Sequence, residues 1–319
     1  GSANTNTAVG VNTLNVSGAT GVANTAVGAS ALAGNTNGNY NTATGVSALY
    51  YNTTGSNTTA NGSNSLRDNT TGSLNTANGA SALAAKTTGN YNTATGISAL
   101  YSNITGYSNV ANGARALFSN TTGNYNRANG VSALYSNTTG ANSTAVGYRA
   151  LYANTTGFGN TATGDNALAN SSSGSYNTAN GTFALITNTT GYNNTASGYN
   201  ALFANTSGFN NTAFGHRTLE STTNGSGNTA IGQGALTNNT LGTNNTAIGS
   251  GAGPSITYPS LTNTTAIGNG AIVTTSNEMR LGNASVTAVR TSGTVYVNGV
   301  ALTSDSRLKE NVVDYKHGL

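Results

Sequence analysis

Small apolar residues return along this chain with a period of seventeen, which fits neither the 3.6-residue repeat of an amphipathic helix nor one long alternating strand. Ala stands two places before each glycine of the series Gly28, Gly45, Gly62 and onward to Gly249, and Leu stands four places after, from Leu32 to Leu236, failing only at Gly253. A second glycine column runs from Gly38 and Gly55 to Gly242. One unit is NTATGVSALYYNTTGSN, residues 41–57, and polar Asn, Thr and Ser fill the places between the apolar ones. Seventeen residues are too few for a helix pair, and Gly, Asn and Thr at this density oppose a helix. The pattern predicts one coil of a parallel β-solenoid per unit, built from two short strands, NTAxG and xxALxx, with glycines taking positive φ in the turns between them.

Stacking such coils about 4.8 Å apart lays like residues over one another. The Ala and Leu columns become apolar ladders, and the Asn column from Asn24 to Asn245, replaced at Thr58 and Ser143, is expected to form a ladder of amide hydrogen bonds. A coil with one or two alanines and a leucine has little core of its own. A homo-oligomer is therefore expected, a trimer about a central axis, in which neighbouring chains share their apolar columns.

Composition sharpens this reading. Charged residues make up 6% of the 319 positions, against about 25% in an ordinary globular domain. Such a sequence without a period would be disordered. The net charge of +4 comes from scattered cations such as Arg67, Arg115, Arg127 and Arg149, with no basic stripe to follow a nucleic-acid backbone. There is no cysteine, and only His216 and His317 offer imidazole, so neither metal nor cofactor is expected. No run of apolar residues is long enough for a membrane span, and no membrane insertion is expected. Asp68 and Asp165 lie about six coils apart on a 4.8 Å spacing, too far for paired carboxylates.

The units NTAVGASAL, residues 24–32, and NTAIGQGAL, residues 228–236, resemble the head repeats of trimeric autotransporter adhesins, the YadA-like family. That resemblance covers roughly residues 4–275 and implies a trimeric, left-handed parallel β-roll on a cell surface. The unit here is longer because NTTGxxN makes a larger turn.

Aromatic residues offer the candidate binding surface. Tyr50, Tyr101, Phe118, Tyr135, Tyr152 and Phe203 follow the Leu column, and a second scatter, including Tyr107, Tyr125, Phe158 and Tyr176, surrounds the turn glycine. Rings on a polar rod suit a cell-surface glycan, or else pack between coils or between chains. The Thr column, Thr25, Thr42, Thr76, Thr93 and from Thr144 to Thr246, gives an alternative, an ice-binding face, although Val110 and Arg127 interrupt it. The recurrent Asn-x-Thr tripeptides at Asn52, Asn120 and Asn137 are expected to serve turn geometry.

The chain divides into a repeat region (1–252), a degenerate terminal repeat (253–277), a β neck (278–303) and a short charged end (304–319). Within that end, Ser304, Asp305, Ser306, Arg307, Leu308 and Lys309 resemble the opening motif of the endosialidase-type intramolecular chaperone of phage tailspikes and tail fibres. The resemblance implies Ser304 as nucleophile, Lys309 as its base, Asp305 and Arg307 as motif residues, and self-cleavage between Thr303 and Ser304. A lysine serves as base when its surroundings keep it neutral. Only the start of such a domain is present, so cleavage is expected of a longer precursor alone. No other enzymatic activity is expected. The whole sequence points to an extracellular fibre shaft or head, on a virion tail or a bacterial surface, used for adhesion or as a spacer.

Overall fold

The structure, a computed structural model, describes residues 5–85 and 87–288 together with the strand pair Tyr296–Val297 and Val300–Ala301. It is all-β, a parallel solenoid. Three-residue strands begin at Thr7–Val9 and Thr25–Val27 and recur every seventeen residues to Thr246–Ile248. Thr265–Ile267 and Met279–Leu281 complete one parallel sheet of 17 strands. At about 4.8 Å per strand this sheet is about 77 Å long. Register is strict: Thr pairs with Thr and Ala with Ala from coil to coil, as in Thr161 with Thr178 and Ala162 with Ala179. The stack runs on through Met279–Leu281, where Arg280 stands opposite Ala266. Gly253–Pro254 pairs with Ile272–Val273 in a second, two-stranded parallel sheet. Tyr296–Val297 and Val300–Ala301 pair antiparallel, as the Asn-Gly between them in the sequence predicts.

The expected second strand forms only at the C-terminal end, as Gly253–Pro254 beside Ile272–Val273. From Leu32 to Leu236 each coil has one strand, and the xxALxx segment is a run of turns whose Leu takes the left-handed conformation, with φ between +48° and +53°. Two residues earlier, Ser47 and its counterparts are also left-handed. Such a backbone costs a non-glycine residue on the order of 1–2 kcal/mol, so stacking must hold it. It does: Ser47 N donates to Ala29 O at 2.9 Å and Leu49 N to Ser65 O at 3.0 Å, one bond to the coil below and one to the coil above. The reversal also turns the leucine inward, where Leu49 and its counterparts are fully buried against the two Ala columns.

The glycine columns have different causes. In the first, φ lies between +121° and +146°, as expected. A Cβ on Gly164 would also stand 2.7 Å from the carbonyl carbon of Gly181 in the next coil. The second column is not left-handed. A Cβ on Gly106 would meet Gly123 O at 2.6 Å and Asn120 Nδ2 at 2.8 Å, so that column is glycine because two amide side chains fill the space beside it.

A large part of the interior is therefore polar. Asn52 Nδ2 donates to Asn35 Oδ1 and Asn69 Nδ2 to Asn52 Oδ1, both at 2.7 Å, and the same bond links Asn103, Asn120, Asn137 and Asn154. Each of these amides also donates to the glycine carbonyl three residues on, as Asn137 does to Gly140 at 2.9 Å. Except for Asn35, which begins Asn-Thr-Asn, these asparagines begin the Asn-x-Thr tripeptides, and all of them are buried. The amide ladder expected in the column from Asn24 to Asn245 forms along part of it, as where Asn211 Nδ2 donates to Asn194 Oδ1 at 3.1 Å and Asn228 Nδ2 to Asn211 Oδ1 at 3.0 Å. Throughout, its Oδ1 atoms also accept from the backbone of the next coil, as Asn24 does from Asn41 N at 2.9 Å, while Asn24 Nδ2 donates to Gly38 O.

Candidate functional site

Outside the coil, three surfaces carry side chains capable of recognition. The first holds the aromatic residues that follow the Leu column. Strict stacking brings Tyr101, Phe118, Tyr135 and Tyr152 together as one pile of rings, with centroids 5.1–5.2 Å apart and planes within 11° of parallel. Their faces are spent on one another, and Arg149 closes the pile, its guanidinium carbon 4.2 Å from the Tyr152 centroid. Such contacts are worth roughly 0.5–1.5 kcal/mol per pair beyond burial. Of the expected glycan platforms these four are thus a brace between coils, in which the Phe118 and Tyr135 rings have both faces covered. Phe203 stands apart from them, with Ile186 and Glu220 at the equivalent places of the neighbouring coils. The second aromatic scatter pairs in the same way, Tyr107 with Tyr125 at 5.1 Å and Phe158 with Tyr176 at 4.8 Å, both edge to face. The Tyr125 contact raises the Tyr107 hydroxyl pKa above its ordinary value.

Tyr50 is different. The equivalent places on the coils around it carry Ala33 and Gly34 below, then Arg67 and Asp68 above, then Ala84 and Ala85. No ring stacks on it, and its one aromatic contact is an edge-to-face pair with Tyr51, centroids 4.5 Å apart and planes at 83°. Beside this pair Arg67 and Asp68 form a two-pronged ion pair, with Nε to Oδ1 and Nη2 to Oδ2 both 2.7 Å. The hydrogen bond to Asp68 raises the Arg67 pKa further above its already high value. Together with Ser47, Thr53 and Thr70 these side chains line an open cleft of about 850 Å³. Tyr50 is legible in the sequence as a candidate of the column after Leu; Tyr51, Arg67 and Asp68 join it as a site only through their register across two coils.

The second surface is the outer face of the long sheet. Two columns point outward, the Thr column and the residues two places on. The Thr column is continuous and in register from Thr144 to Thr265. The companion column is polar in its middle, with Asn112 beside Asn129, and apolar toward the C-terminal end. There Phe214, Ile231, Ile248, Ile267 and Leu281 succeed one another, 39–45% exposed. The third surface holds the ion pair of Arg217 and Glu220, Nε to Oε2 2.7 Å, near His216, which stacks on Tyr199 with centroids 5.5 Å apart. Among the described residues no group of three His, Cys, Asp or Glu side chains is placed to hold a metal ion. Ser304, Asp305, Arg307 and Lys309 lie outside the described residues.

No protein-family model matches the chain, and no curated protein matches it.

Proposed function

We propose that the protein is the rod of an extracellular fibre, a homotrimer used for adhesion or receptor binding, whose precursor is matured by a C-terminal self-cleaving chaperone. The observation that carries this reading is the apolar stripe from Phe214 to Leu281, five large side chains in unbroken succession on a sheet where other exposed apolar residues, such as Val110 and Val146, stand singly among polar ones. A contiguous exposed stripe of this kind is what an interface between copies looks like before the copies meet. Burying it takes nothing more than laying three sheets side by side around an axis, which leaves the turn faces of all three chains outward. Repetition then supplies avidity, because weak contacts on one fibre add through effective concentration. The motif from Ser304 to Lys309, with its resemblance to the chaperones of trimeric fibres, supports both the trimer and the maturation step.

Sedimentation equilibrium of the whole chain tests the central claim. A mass three times 31.6 kDa is expected, and Ile248→Asp is expected to shift it to the monomer while the circular dichroism of the sheet is kept. A wild-type chain that stays monomeric at tens of micromolar refutes the reading.

The unbroken Thr column from Thr144 to Thr265 favours a second reading, an ice-binding face. The two compete for one surface: a trimer that buries the sheet leaves no Thr face for ice. Inhibition of ice recrystallisation by a monomeric chain supports the second and defeats the first.

A further inference from the structure

We infer that the cleft formed by Tyr50, Tyr51, Arg67 and Asp68 is a binding subsite for a neutral saccharide. Its aromatic faces and its polar groups are set at right angles to each other's use. The Tyr50 and Tyr51 rings, 4.5 Å apart and nearly perpendicular, make an apolar corner, and Tyr51 is 55% exposed. A pyranose has the matching form, with one face of C–H groups to lie on a ring and a rim of hydroxyls to be hydrogen-bonded. Around the rim stand donors and acceptors of both kinds. Asp68 supplies carboxylate lone pairs beyond those taken by Arg67, and Arg67 retains Nη1, which Asp68 does not engage. Thr53 has donated its hydroxyl proton to Thr70 O at 2.8 Å and offers an acceptor.

Charge selects among sugars. Arg67 and Asp68 neutralise one another within the cleft, so no net charge remains to hold a carboxylated or sulfated sugar. The pair instead presents alternating donor and acceptor edges in one plane, the arrangement that vicinal hydroxyls satisfy. The site is also singular among the coils. Elsewhere the column after Leu stacks its rings, as Tyr101 to Tyr152 do, carries small residues such as Ala84 and Ala169, or holds the single ring of Phe203 between Ile186 and Glu220. Among the described residues, only at 50–68 does an unstacked pair of rings meet a pair of opposite charges.

The inference rests on the fibre reading for its biological use but not for its chemistry, since every contributing side chain belongs to one chain. The test is saturation-transfer NMR on the whole chain with a panel of neutral disaccharides, maltose, cellobiose, lactose and mannobiose, and with 3′-sialyllactose as the acidic probe. Transfer from tyrosine ring protons to the C–H face of at least one neutral member is expected. Tyr51→Ala, at an exposed position that leaves the coil intact, is expected to weaken it at least tenfold. Asp68→Asn unmasks the Arg67 charge, and is expected to lower neutral binding and raise the 3′-sialyllactose signal. The inference is overturned if no neutral sugar receives transfer, if Tyr51→Ala leaves the signal unchanged, or if the unaltered chain prefers the acidic probe. A chain that binds sugar here yet sediments as a monomer keeps the subsite and loses the trimer; a trimer that ignores the panel does the reverse.

Discussion

The buried amide ladder invites a repair. Asn154 Nδ2 donates to Asn137 Oδ1 at 2.8 Å, but the next coil carries Ser171 in place of Asn, and Asn154 Oδ1 and Ser171 Oγ are both buried without a partner. The same break recurs where Thr222 follows Asn205. Ser171→Asn would set a new Nδ2 against Asn154 Oδ1 and Gly174 O, and a new Oδ1 toward Asn188 Nδ2, which now donates only to Gly191 O at 3.0 Å. An unpaired buried acceptor costs about 1–3 kcal/mol, and ordering one more amide offsets part of the gain. A net stabilisation of about 1–2 kcal/mol is expected. Repeat arrays unfold region by region, so one melting temperature would blur the effect. Hydrogen exchange of the Thr155 and Ser172 amides, which bond to Ser172 O and Thr189 O, reads it locally, with about tenfold slower exchange for each 1.4 kcal/mol. Asn137→Ser is the counterpart. It strips Asn120 Oδ1 of its donor and is expected to speed exchange in the flanking coils by a similar factor. If Ser171→Asn leaves exchange unchanged or faster while Asn137→Ser slows it, the ladder does not stabilise the rod.

Gly164→Ala combines a φ of +130° with a Cβ 2.7 Å from the next coil, and is expected to cost about 3 kcal/mol or more, seen as a protease-sensitive site in the middle of the rod. Glu278 accepts from Thr274 N at 2.7 Å and Thr275 N at 3.1 Å, which holds its pKa below the ordinary 4.5. Its contribution is therefore present above pH 4.5 and lost as pH falls through the lowered value, so exchange at Thr265 and Gly268 should accelerate in that acidic window, and Glu278→Gln should abolish the dependence.

The coil length, the in-register stacking and the buried Ala and Leu columns were legible because each follows from a strict spacing. The turn at Ala48-Leu49 was not. Alternation and β propensity favour a strand there, and the left-handed Leu is imposed by backbone bonds from the coils on either side, which no single unit contains. The same holds for the amide ladder through Asn52. Its Asn-Thr-Thr context resembles turn chemistry, and its burial became visible only once Gly55 was seen to be kept bare for it. Among the aromatic candidates, sequence placed Tyr101 to Tyr152 and Tyr50 alike. Stacking between neighbours separated the brace from the open cleft, and that is a property of successive units read together.

The ladder through Asn103, Asn120, Asn137 and Asn154 also has a sense. In every link the higher-numbered amide gives its proton to the lower-numbered one, so the side-chain dipoles lie head to tail and reinforce one another. Each finished coil thus exposes a polarised oxygen toward the residues that come after it. A chain emerging from its N-terminus would meet, at every turn of this ladder, an acceptor already waiting for the next donor.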